Sequence, residues 1–166
     1  TNEEALREKL RLAEGRLFCD YAFYAGGTED NYLELPKLEK IPGCCGVKVF
    51  MGLSVGSLLV TDHNDLNNIV SSINNRASFH CEDQDLLEER IDFQIPGDIN
   101  SHEVWRNDEQ CFKATQRIVN IARVNKKNIH KAVGGLAKQI IQTESAEIVA
   151  WFCKGFHKAK NSQNPF

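Results

Sequence analysis

Two polar side chains stand where apolar ones belong. Lys48 lies between Val47 and Val49, and His80 sits near the end of the run Arg76 to Cys81, just ahead of Glu82 and Asp83. A lysine in a buried strand must be paired, deprotonated or modified, because a bare ammonium is costly away from water. The plainer reading buries only the stem and lets the head snorkel to the strand end. A neutral imidazole is a ready metal ligand. The plainer reading there is a core histidine satisfied by a neighbour. In parallel α/β proteins ligands and metals gather at the C-terminal strand ends. The small-residue loop over 52–57 would lie on that face too.

The surrounding pattern supplies the elements that must hold these residues. Residues 3–14 space Leu6, Leu10 and Ala13 as a surface helix. The aromatic run over 16–24 reads as a strand that Gly26 and Gly27 end. Residues 30–40 read as a short helix limited by Pro36, with Pro42 and Gly43 as a turn. Residues 45–51 read as a buried strand, 62–74 as a helix capped by Asp62, and 76–81 as a third strand. Glu82 to Asp85 opens another helix, with acidic residues at the positive end of its dipole. After a loop over 92–101, one long helix is expected over 103–124, and 126–129 could begin a fourth strand. Strict alternation of strand and helix argues for parallel strands joined by helical crossovers.

Composition narrows the classes. The chain has 166 residues, a net charge of −3, and 42% hydrophobic against 26% charged residues, which is globular composition. No global positive field exists to draw nucleic acid or an anionic membrane, and no apolar run reaches the roughly 20 residues of a membrane helix. No leader is visible, so a cytoplasmic location is expected. The six cysteines contain no Cys-x-x-Cys pair, which excludes the usual zinc-knuckle and redox patterns. All six are expected to be reduced, with Cys19 and Cys81 as small core residues inside strands.

The stretch from Gly46 to Val60, GVKVFMGLSVGSLLV, resembles the segment around the carboxylated lysine of dihydroorotases. The run His80-Cys81-Glu82-Asp83 is similar to that family's strand bearing a metal-binding histidine. His102 to Asn107 is similar to the loop that follows, and residues 16–28 to the preceding strand. The resemblance extends to His130, with hydantoinases and allantoinases as near relatives. It implies the metal-dependent type of TIM (β/α)8 barrel, represented here by about four βα units over residues 1–130, with a divergent segment over 131–166, helical and then frayed. It also implies the family's activity, interconversion of carbamoyl aspartate and dihydroorotate in pyrimidine biosynthesis. Two zinc ions would carry that reaction. Lys48, as carboxylysine, and His80 would be the metal ligands.

Departures from the family's pattern are as informative. The sequence has no His-x-His pair, and the ligand position of the sixth strand holds Val133, three residues after His130. The expectation is that two strands are missing ahead of residue 1 and that the final strand's catalytic Asp falls beyond residue 166. No catalytic residue is then intact. Lys48 and His80 are vestigial ligands, too few for a centre that needs about three protein ligands per zinc. Three readings remain: a truncated, silent dihydroorotase-like protein; a non-catalytic partner subunit or homo-oligomer joined through open sheet edges; and one piece of a split active hydrolase. A fourth, less specific reading is an unrelated α/β fold.

Overall fold

The computed structural model describes residues 1–54, 56–127 and 129–131. Of the segment expected to diverge over 131–166 only Lys131, which ends a strand, is described; the expected helix and Val133 lie outside the described residues. Helix α1 spans Glu3–Ala13, with Asn2 capping it through a side-chain bond from the Ala5 amide at 2.9 Å. It buries Leu6 and Ala13 and keeps its charged face in water, as the spacing predicts.

Four strands follow: β1 (Phe23–Gly26), β2 (Cys44–Phe50), β3 (Ala77–His80) and β4 (Ile129–Lys131). They form one parallel sheet in the order β1-β2-β3-β4. The crossovers carry α2 (Leu35–Leu38), α3 (His63–Ser72), α4 (Gln84–Glu89), α5 (Asn100–Trp105) and α6 (Asp108–Asn125). Consecutive βα units with neighbouring strands in parallel are the construction of part of a (β/α)8 barrel.

Alternation along the strands separates two faces. Ala25, Val47 and Ala77 are register partners, as are Val49 and Phe79, and all five are buried. They form one core with Leu66, Ile69 and Val70 of α3 and Ile118 of α6. Gly27, just past β1, is glycine for space: a Cβ there would stand 2.9 Å from Val47 and 3.1 Å from Val49. The opposite face carries Gly26, Lys48 and Ser78 in register, then Phe50 beside His80.

Asp62 caps α3 as read from the sequence, accepting from the Asn64 and Asp65 amides at 2.7 and 3.1 Å. Four expectations change. The strand expected over 16–24 is only Phe23–Gly26, because β2 starts at Cys44, the register partner of Phe23. Residues before Phe23 have no parallel neighbour, so their β-forming side chains stay outside the sheet, and Phe18 is fully exposed. Cys19 is therefore exposed rather than core, while Cys81 is buried as expected. The helix over 30–40 contracts to one turn, Leu35–Leu38, with Pro36 at its start. The helix over 103–124 is two helices, since Arg106 leaves helical geometry and Asn107 is extended ahead of Asp108. Among the described residues no helix is long and apolar enough to cross a membrane.

Candidate functional site

The open sheet face brings both singled-out residues together around Phe50. The Lys48 Nζ lies 4.7 Å from the centre of the Phe50 ring. The His80 ring centre lies 5.8 Å from the same ring, tilted by 37°. Lys48 is half-buried, and burial pushes its ammonium below the ordinary lysine range. That shift enlarges the fraction present as the neutral amine, the form a lysine needs to act as a nucleophile towards carbon dioxide.

His80 does not stand alone. Its Nε2 is 2.9 Å from Oε2 of Glu82, a nearly buried carboxylate two residues on. Arg106, from the corner between α5 and α6, holds Glu82 with both ends of its fork: Nε donates to Oε1 at 3.0 Å and Nη2 donates to Oε2. Burial alone would raise the Glu82 carboxyl. The bonds from His80 and Arg106 outweigh it and hold the group below the usual carboxylate range. The neighbouring Asp83 is buried too; it caps α4 by accepting from the Leu86 amide at 3.2 Å and accepts from Lys113 at 3.1 Å.

The loop after β2 is built against this cluster. A Cβ on Gly52 would stand 2.6 Å from the Glu82 carbonyl oxygen, so only glycine allows the approach. The Leu53 amide donates to Gln84 Oε1 at 3.0 Å, and Leu53 holds a left-handed φ of 29°. The Met51 amide donates to the His80 carbonyl at 3.0 Å, continuing the ladder past the strand.

His102, part of the expected loop, lies in α5 and stacks edge-on against Trp105 at 6.2 Å. The sequence reading gave Glu82 only a place at a helix start and Arg106 only a place in a motif. Their pairing spans 24 residues. The one local hint was a double carboxylate directly after a strand.

Lys48 and His80 each suit a single donor position. As a set they do not fit a binuclear zinc centre: among the described residues no three of His, Cys, Asp and Glu converge in a way that could hold a metal ion. No chemical step is therefore routed through a metal here.

The parallel sheet with its helical crossovers is the fold of part of a TIM barrel. The chain is similar to L-hydantoinase (dihydropyrimidinase) from Arthrobacter aurescens, with TM-score 0.69 and 24% identity over 77% of this chain and 30% of that one. It is similar to a D-hydantoinase, with TM-score 0.68 and 20% identity over 96% of this chain and 35% of that one. It is also similar to dihydropyrimidinase from Brevibacillus agri, with TM-score 0.66 and 18% identity over 94% and 33%. The chain thus spans about a third of the length of these structures. No family model and no curated protein matches the sequence. The structural neighbours are the hydantoinases that the sequence reading placed beside dihydroorotases, so the branch named there is narrower than the likeness reaches.

Proposed function

We propose that the chain is a dihydroorotase-like segment of a cyclic-amide hydrolase barrel, catalytically silent by itself. It keeps two elements of the metal site, Lys48 and His80, without completing that site. The observation that supports this is the shared face around Phe50. The two residues that the resemblance marks as ligands come from adjacent parallel strands and flank one ring, yet among the described residues no three of His, Cys, Asp and Glu converge to hold a metal ion. In this chain Lys48 would be held half-buried for carboxylation, and His80 would be held by Glu82.

Turnover tests the reading. The purified chain, supplied with zinc and bicarbonate, is expected to show no hydrolysis of dihydroorotate or hydantoin above the uncatalysed rate. Hydrolysis that scales with protein concentration and vanishes in Lys48→Ala would overturn it.

One observation favours a partner-subunit role alongside silence. Among the described residues β1 pairs only with β2, and the aromatic segment before it leaves Phe18 fully exposed. An edge strand next to exposed apolar side chains is a pairing surface. A partner subunit or a second copy joined at that edge is expected to shift the chain to a larger species in size-exclusion chromatography with light scattering, and a strict monomer at high concentration removes the second-copy reading.

A further inference from the structure

Glu82 does more than neutralise a charge. A carboxylate gripped by both ends of an arginine fork can only accept. It accepts two bonds from the Arg106 fork, and its Oε2 also faces His80 Nε2 at 2.9 Å. An acceptor there requires His80 to present a proton on Nε2. Neutral imidazole carries one proton, so the lone pair falls on Nδ1. We infer that Glu82 and Arg106 are positioning residues that fix His80 as the Nε2–H tautomer and leave Nδ1 as its only electron-pair donor. This rests on the proposed barrel-site reading only for the use to which that lone pair is put.

The anchor behind this array is tied at several points. Arg106 extends from the break between α5 and α6, and its guanidinium lies 5.5 Å from the Trp105 ring centre. The Trp105 indole N–H donates to the Leu87 carbonyl at 3.1 Å, bolting the corner to α4. The Gln110 side-chain amide, fully buried in α6, donates to the Trp105 carbonyl at 2.6 Å and ties the corner across the break. Gly52 packs on the Glu82 backbone from the other side. Arg106, at the break, is the residue that reaches Glu82. Orienting a histidine through a carboxylate on its far nitrogen is a general device for presenting the near nitrogen to a Lewis acid or a donor.

The test is a long-range ¹H–¹⁵N correlation spectrum of the full chain, whose cross-peak pattern separates the two neutral tautomers from the doubly protonated ring. His80 is assigned by the signal lost in His80→Gln. Wild type is expected to show one tautomer, protonated at Nε2. Glu82→Leu is expected to show both tautomers in exchange, and Arg106→Lys, which keeps a cation near Glu82, to keep most of the Nε2–H form. A wild-type His80 protonated at Nδ1 overturns the inference, and it does so even if Glu82→Leu fails to fold. So does a folded Glu82→Leu that keeps the single wild-type tautomer. No metal or turnover enters this readout, so its failure leaves the proposed function standing, and failure of the turnover test leaves the tautomer assignment standing.

Discussion

Replacing Glu82 with glutamine removes the charge at the centre of the strand-end cluster while keeping its shape. The Glu82 side chain is only 7% exposed and faces His80 at 2.9 Å and Arg106 at 3.0 Å, with a second bond from the Arg106 fork. Hydrogen bonds to charged groups are worth about 1.5–3 kcal/mol each, and breaking a fully buried pair costs about 3–5 kcal/mol. Arg106 and His80 keep 24% and 27% of their side chains exposed, so both can partly rehydrate. The expected loss for Glu82→Gln is therefore about 2–3 kcal/mol at pH 7. For a chain of this size that lowers Tm by about 5–10 °C. Urea unfolding followed by far-UV circular dichroism measures it. The pH dependence carries a definite sign. The Glu82 carboxyl is held below its ordinary range when folded, so its stabilisation is present above the unfolded value near about 4.3 and is lost as pH falls through the folded value. The gap between wild type and variant must shrink as pH falls from about 5 towards about 3. A variant within about 0.5 kcal/mol of wild type at pH 7, the ordinary scatter of surface substitutions, would refute the assigned role, as would a gap that survives acidification.

Three further predictions concern the same face and its support. Gly52→Ala forces a methyl against the Glu82 backbone at 2.6 Å, and is expected to cost about 1–3 kcal/mol in urea unfolding; a neutral effect would show that the loop moves freely. Lys48→Met removes a half-buried ammonium whose protonation burial opposes, so no loss of stability is expected at pH 7. With the folded-state value lowered, wild type gains stability as pH rises towards the unfolded value near about 10.4, and that gain disappears in the variant; matching pH profiles for the two would count against the burial account. Phe79→Ala empties a fully buried position between the sheet and its helices, with an expected loss of about 3–5 kcal/mol by denaturant titration. A loss below about 1 kcal/mol would mean that this face is not the core.

The elements that read clearly from sequence are those whose signals are local. Asp62 before an amphipathic run marks the start of α3, and alternation around Val47 and Val49 marks β2. Whether Arg16 to Ala22 joins a sheet depends on where β2 begins, a fact held some twenty residues away. The residue at the break, Arg106, likewise finds its partner in Glu82, across 24 residues. Its local trace is Asn107 ahead of Asp108 and Glu109, a helix-start pattern that a continuous apolar periodicity overrides. Lys48 and His80 stand out as candidates because a polar residue in an apolar strand is conspicuous wherever the strand lies, and the structure places both beside Phe50. The partners that hold His80 do not stand out, since a carboxylate at a helix start looks the same whether it caps the helix or orients a ring.

The proposed function stands or falls on whether Lys48 and His80 form only part of a metal site. Equilibrium dialysis against zinc with bicarbonate present, followed by metal analysis of the folded chain, measures that directly. The account predicts fewer than two tightly held zinc ions per chain, with whatever is held lost in Lys48→Ala or His80→Gln. Two tightly held zinc ions per chain, released together on either substitution, would contradict it.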